Sequence, residues 1–207
     1  MESSTAENDN FDSAKRLQIL DGARRCFLAQ GFDGASMNDI VKAAGVSKGT
    51  VYAYFPSKEK LFEAMVYVDR RRAAEQVVVI EHEERPILDV LTELGLRMAH
   101  QFSTHDQISY SRMVMSVAGR FPAVGHSFFE AGPAFAIARI GAYLQRKMDD
   151  GTLKAGDSEI AAMQFTELVQ CGLVKPRLFS ATDLFRHRSI EEIVEAGVSL
   201  FLSGLKT

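Results

Sequence analysis

Apolar positions recur three and four residues apart along nearly the whole chain, and no stretch alternates apolar and polar residues as a half-buried strand would. This period predicts an all-α fold. Leu17, Leu20, Ala23, Arg24, Phe27 and Leu28 mark one stripe and predict a first helix over 13–30, with Gly31 as its stop. Three serines then punctuate a short interval. Ser36 with Asp39 three residues on suits a capping box, Ser47 suits the cap of a third helix, and Ser57 after Pro56 suits the cap of a fourth helix that runs from Lys58 toward Ile80. The acidic run EHEERP breaks the pattern. Further helices are expected over 86–102, 109–119, 122–149 with a break or kink at Gly132-Pro133, 157–172 and 189–203. Asp150-Gly151 reads as a turn and 175–188 as a loop.

The segment 36–60 carries the most chemistry. Two short helices pivoting on Gly45 match the helix-turn-helix, whose second helix can lie in the DNA major groove. Ile40, Val46, Val51 and Phe55 can form its buried side. That leaves Lys48, Thr50, Tyr52 and Tyr54 outward, with the small Gly49 and Ala53 between them. A merely solvated helix face is more often rich in Glu and Lys. The bland alternative is three short helices of an ordinary helical protein.

Charge sharpens the contrast. The 207-residue chain has a formal net charge of −3, but residues 11–60 carry eight Lys and Arg against five Asp and Glu, a local +3. Phosphate attraction is screened beyond about 10 Å at moderate salt, so the local value matters more than the total. The first ten residues, MESSTAENDN, are acidic and polar, unlike a signal peptide, and are expected to be a disordered tail. No run of apolar residues is long enough for a membrane span, and a reducing cytoplasm is the expected compartment.

The string GFDGASMNDIVKAAGVSKGTVYAYFPSKEKLF resembles the DNA-binding signature of the TetR family of bacterial transcriptional regulators, over about 50 residues from Phe11 to Phe62. Residues 120–135, RFPAVGHSFFEAGPAF, followed by IGAYLQRKMDDGTL, resemble the C-terminal domain of the AefR-like subgroup. The resemblance implies three N-terminal helices for DNA (11–57) and a larger helical domain for effector binding and dimerisation (58–207). It places Ser36 and Asn38 at the start of the second helix, near a phosphate and a base edge respectively. Lys48, Gly49 and Thr50 open the recognition helix, Tyr52 and Tyr54 meet phosphate or thymine methyls, and Lys58 is a phosphate partner. The chemistry agrees: a lysine can donate to guanine O6/N7, threonine suits phosphate or a methyl group, and glycine permits close backbone approach. Ala53 stands where many relatives carry a larger side chain and offers a methyl contact or nothing.

In the second part, Phe102, Tyr110, Met113, Phe128, Phe129, Met163 and Phe165 are candidates to line an effector pocket, against the alternative that they are core. Arg112, His100, His105 and Gln164 are candidate polar contacts. Cys26 lies on the apolar stripe and reads as a buried thiol, whereas Cys171, near a helix end, is less constrained. The five histidines never stand four apart, so no metal site is expected, and no cofactor is implied. Arg70-Arg71-Arg72 reads as a solvated basic run. Apolar faces on the last two helices suit a homodimer: Ile160, Met163, Gln164, Leu168 and Cys171 on one, with Ile193, Val194, Val198, Phe201 and Leu202 on the other. Clustered catalytic carboxylates, His or Cys are not visible, so an enzyme is not expected. The reading is a dimeric, ligand-responsive repressor of a palindromic operator. Its alternatives are an activator of the same fold, or a helical interaction or ligand-sequestering module without specific DNA binding.

Overall fold

The protein is seen as a computed structural model that describes residues 3–80, 84–184 and 187–205, with side chains from Ala14 onward. Every regular element among the described residues is helical. In chain order they are α1 (Ser3–Gly34), α2 (Met37–Ala44), α3 (Lys48–Tyr54), α4 (Lys58–Val77), α5 (Ile87–Phe102) and α6 (His105–Ala118). There follow α7 (Pro122–Phe129), a π-helical turn (Glu130–Ala134), α8 (Phe135–Asp149), α9 (Ser158–Leu168), α10 (Val174–Leu178) and α11 (Ile190–Leu205).

From Ser3, the first described residue, helix α1 runs without a non-helical residue before Gly31, so the backbone of the expected tail is helical from Ser3 onward. Met1 and Glu2 lie outside the described residues. At Gly31 the backbone turns left-handed (φ 71°), the conformation that favours glycine, and helical geometry is interrupted there. Helix α6 begins four residues before the expected Ser109. Thr104 provides the start, its Oγ1 accepting from the Gln107 N–H at 3.3 Å. The helix expected over 157–172 stops at Leu168, followed by turns to a left-handed Gly172. The expected loop after it holds α10, where Pro176 sits in the first turn and no N–H is missed. From α7 to α8 the helical run continues without a gap: the π turn absorbs Pro133, which has no amide hydrogen to donate.

The chain falls into two compact units, Met1–Asp69 with Met113–Phe128, and Arg70–Arg112 with Phe129–Thr207. The division passes through α4. Segment 113–128, expected in the second part, joins the first for a visible reason. Arg120 Nη2 donates to both carboxylate oxygens of Asp33 at 2.8 Å, and the Phe121 ring lies 5.4 Å from that of Phe32. Around them Phe27 meets Phe62 edge-on at 4.8 Å and Phe32 meets Phe62 at 5.0 Å. These rings, with buried Ile19, Leu20, Ile40, Val51, Leu61 and Met65, form the first core.

The second unit has its own core, built from α5, α8, α9 and α11 around Leu91, Leu94, Met98, Ile140, Tyr143, Leu144, Phe165 and Val198. The basic run at 70–72 is not simply solvated. Arg70 is buried, both its Nη atoms donating to Gln107 Oε1 at 2.8 and 2.9 Å, and its guanidinium lies 5.5 Å from the Tyr110 ring. Arg71 pairs with Glu75 at 2.7 Å and stacks 3.7 Å over Phe135, while Arg72 is exposed. Helix period alone could not tell which of three consecutive arginines points inward.

Candidate nucleic-acid interface

Helix α2 has eight residues and α3 has seven, too few to persist alone in water, so their ends must be held. At the start of α2 the expected capping box is complete. The Asp39 N–H donates to Ser36 Oγ at 3.1 Å, and the Ser36 N–H donates to Asp39 Oδ2 at 3.2 Å. The Ser36 hydroxyl also donates to that carboxylate, and these Ser36 hydrogen bonds hold the Asp39 carboxyl below its usual pKa. At the other end all four terminal carbonyls are matched. The Gly45 N–H serves Val41 and Lys42, Arg25 Nη2 donates to Ala43, and Gln18 Nε2 donates to Ala44 at 2.8 Å.

Two of those donors come from α1 and flank Gly22 at one-turn spacings. A Cβ on Gly22 would stand 2.6 Å from the Ala44 N and Cα, so α1 and α2 touch backbone to backbone there. Gln18, Gly22 and Arg25 therefore form the seat of α2. Sequence reading missed them. Their 4-then-3 spacing, with a glycine between long polar side chains mid-helix, was the available signal.

Helix α3 is capped by Ser47, whose Oγ accepts from the Thr50 N–H at 3.0 Å and lies 2.7 Å from Thr50 Oγ1. Val51 and Phe55 are buried, while Val46 is half-buried. On the other side Lys48, Gly49, Tyr52 and Ala53 are exposed, with Thr50 and Tyr54 half-buried beside them. Lys48 Nζ sits 5.8 Å from the Tyr52 ring centre. On α2, Ser36 and Asn38 are both exposed, although the Ser36 hydroxyl is engaged in the capping box. Lys58 is the residue whose surroundings differ most from the expectation. Its Nζ donates to the carbonyls of Phe32 at 2.9 Å and Ala35 at 3.1 Å, and lies 4.5 Å over the Phe32 ring. It ties the α1–α2 turn to the start of α4, with one of its three N–H donors left over.

The local positive charge is also partly spent inside the unit. Arg24 holds Asp69 with both carboxylate oxygens engaged and meets Asp21 at 3.0 Å, Arg25 pairs with Asp21, and Lys60 pairs with Glu63 at 2.9 Å. Lys42 and Lys48 remain on the surface without an acidic pair in hydrogen-bond reach among the described residues. A short, firmly capped helix presenting a lysine, a threonine, two tyrosines and two small residues is a geometry suited to a DNA groove.

The chain matches the model of bacterial regulatory proteins of the tetR family over residues 19–65, and that of the AefR-like transcriptional repressor C-terminal domain over residues 89–204. It belongs to the TetR family. Members of this family are transcriptional regulators and not enzymes. This TetR-family chain is 45% identical over 62 residues to the transcriptional repressor AcnR of Corynebacterium efficiens, covering 30% of the chain and 33% of the relative. It is 28% identical over 142 residues to AcnR of Corynebacterium diphtheriae, covering 69% and 63%. The chain thus spans between a third and under two thirds of the length of these curated relatives. Among solved structures, a TetR-family regulator of Mesorhizobium loti superposes with a TM-score of 0.83 at 25% identity. The flavonoid-responsive regulator FrrA does so with 0.80 at 31%, each match covering 94% of this chain and 98% of the other.

The seven residues expected to line an effector pocket are divided between the two units. Met113 and Phe128 fall in the first unit and the other five in the second. Phe165 is fully buried in the second core, edge-on to Phe201 at 5.5 Å, and Tyr110 lies under Arg70. Phe129 and Met163 point outward, 65% and 43% exposed. Phe102 is half-buried against the core. An aromatic list in sequence carries no direction, and helix register sent these rings to different faces.

On α11, four residues expected at a dimer face (Val194, Val198, Phe201 and Leu202) are core, and Ile193 is half-buried. On α9, Ile160, Met163 and Gln164 are exposed and Leu168 is half-buried, while Cys171, in the turns beyond, is exposed. Cys26 is buried as expected, and burial raises its thiol pKa. Among the described residues no group of His, Cys, Asp and Glu could hold a metal, and no helix is long and apolar enough to cross a membrane.

Gly49 offers a direct test of the face. An added Cβ would meet nothing closer than Ser47 Oγ at 3.8 Å, so the fold does not require glycine here. Gly49→Ala should raise helix stability by up to about 1 kcal/mol. On the face expected to meet DNA the methyl would also stand in the way of close backbone approach, so DNA binding should weaken. Thermal melts and gel shifts on the same preparation check both signs, and unchanged DNA affinity would remove Gly49 from the interface.

Proposed function

We propose that this TetR-family chain acts in the cytoplasm as a dimeric repressor that binds a palindromic operator and leaves it when a small apolar or amphipathic effector binds. The observation that carries this reading is the exposed face of α3, with Lys48, Thr50 and Tyr52 held outward on a helix braced through α2 and α1. Ser36, Asn38, Gly49, Tyr54 and the remaining donor of Lys58 complete the proposed DNA contacts.

A dimer supplies the symmetry that a palindrome needs. Its proposed surface is the exposed side of α9 at Ile160, Met163 and Gln164, with Leu200 and Gly204 of α11 replacing the core-facing residues expected from sequence. An apolar groove of about 480 Å³ runs between these helices, lined by Leu168, Leu200, Phe201 and Leu205 among others. Two copies related by a two-fold axis would cover it. Responsiveness to a small molecule is supported by the relative FrrA, which is described as flavonoid-responsive. Because α4 is one unbroken helix from Lys58 to Val77, an effector that favours one tilt of it can alter the spacing of two α3 helices.

A gel shift on DNA upstream of the protein's own coding sequence tests the reading. Palindrome-specific binding that weakens steeply with salt is expected, and Lys48→Ala should relax base preference by about 1–3 kcal/mol. Binding indifferent to sequence in the wild type would leave the interaction-module alternative standing. Equal separation of the two Tyr52 positions in effector-bound and DNA-bound dimers would sink the tilting mechanism.

A further inference from the structure

The second unit contains a cavity of about 370 Å³ lined by Ser103, His105, Ile108, Arg112, Arg177, Ser180 and Thr182. Among the described residues its wall carries two guanidiniums, an imidazole and three hydroxyls, with a single apolar side chain and no carboxylate. Neither Arg112 nor Arg177 is ion-paired among the described residues. Instead both are oriented by backbone carbonyls. Arg112 Nε donates to Leu178 O at 2.9 Å, its Nη2 donates to Arg177 O and to Ser180 Oγ at 2.9 Å, and Arg177 Nη1 donates to Leu173 O at 2.7 Å. Fixed in this way, Arg112 keeps Nη1 and Arg177 keeps Nη2 and Nε for another acceptor.

Ser180 adds a second, independent observation. The end of α10 closes in a Schellman arrangement, with the Ala181 N–H on Pro176 O at 2.8 Å and the Ser180 N–H on Arg177 O at 3.2 Å. That arrangement puts Ser180 in the left-handed region at φ 59°, the only non-glycine residue with positive φ among the described residues. Glycine would serve the turn without strain. The serine keeps a hydroxyl in the cavity at the expense of local backbone strain, and such strain concentrates at binding sites.

We propose that this cavity binds a small organic anion, with a carboxylate or phosphate group seated on Arg112 and Arg177 and steadied by Ser180 and His105. Planar guanidiniums pair with both groups through parallel hydrogen bonds, and a wall of one sign raises the local concentration of the opposite charge. The volume suits a ligand about the size of a single substituted ring. That this anion is the effector rests on the ligand-responsive reading above; that it binds does not.

Titration calorimetry of the full chain with benzoate and with inorganic phosphate, against uncharged benzamide, tests binding without DNA. Saturable binding of either anion and none of benzamide is expected. Arg177→Gln should weaken it about tenfold, the loss of one charged hydrogen-bond pair. Ser180→Gly, which relieves the backbone, should leave the melting temperature equal or higher while weakening the anion. No binding of either anion at millimolar concentration, equal binding of benzamide, or wild-type affinity in both variants would overturn the site. A gel shift with the same anions then separates the two readings. Binding with operator release supports both. Binding without release keeps the site and removes these anions as effectors.

Discussion

Replacing Gly22 by alanine is expected to damage this protein more than any other single-methyl change in its first unit. The added carbon would lie 2.6 Å from the Ala44 N and Cα and 2.7 Å from its Cβ, distances at which something must move. Alanine gains about 1 kcal/mol in helix propensity over glycine, but forced overpacking typically takes back about 1–3 kcal/mol and sometimes more, so the clash wins. The consequence is directional. Helix α2 must lift off α1, drawing its terminal carbonyls away from Gln18 and Arg25, and α3 moves with it. Urea unfolding should show a lowered midpoint, and DNA affinity should fall further than stability alone would require. Ala44→Gly should fail to rescue it, because two of the three close atoms are backbone. A double variant with wild-type stability and affinity would refute the backbone-to-backbone seat.

Lys58→Ala should affect folding and binding at once. The ammonium is hydrogen-bonded to the carbonyls of Phe32 and Ala35 and stacked on the Phe32 ring, interactions together worth about 1–3 kcal/mol. Its loss leaves two carbonyls of the α1–α2 turn without this donor and loosens the start of α4. DNA affinity should drop by a further about 1–3 kcal/mol for all sequences alike, with a shallower salt dependence, if the third donor meets a phosphate. Lys58→Arg is the informative companion, since it keeps the charge but cannot reproduce three donors on one atom. Unaltered stability in Lys58→Ala would show that the tie to the turn is negligible. Unaltered DNA affinity after correction for unfolded protein would leave Lys58 a bracing residue only.

What could be read before folding was local. The caps at Ser36 and Ser47, the stops at Gly31 and Gly45, and the inward side Ile40, Val51 and Phe55 follow from hydrogen bonds and periods within a few residues, and each is present. The exposed face of Lys48, Gly49, Tyr52 and Ala53 follows from the same period. The partnerships that could not be read all join residues far apart in the chain. Lys58 reaches carbonyls 23 and 26 residues back, Arg120 reaches Asp33 across 87 residues, and Arg112 reaches Ser180 across 68. The placement of the aromatic residues was not legible for a related reason. A phenylalanine at helical spacing is equally suited to a pocket and a core, and Phe165 went to the core because α11 brought Phe201 against it.

By itself, then, the sequence determined the helical class, the capped short helices α2 and α3 and the residues they expose, because these depend on interactions within one or two turns. Only the tertiary structure decided which arginines are buried, which face of α11 is core, how Lys58 is employed, and that Arg112, Arg177 and Ser180 share one cavity. Those outcomes depend on which helix faces meet, and helix contacts are chosen by packing across long sequence separations that no local period records.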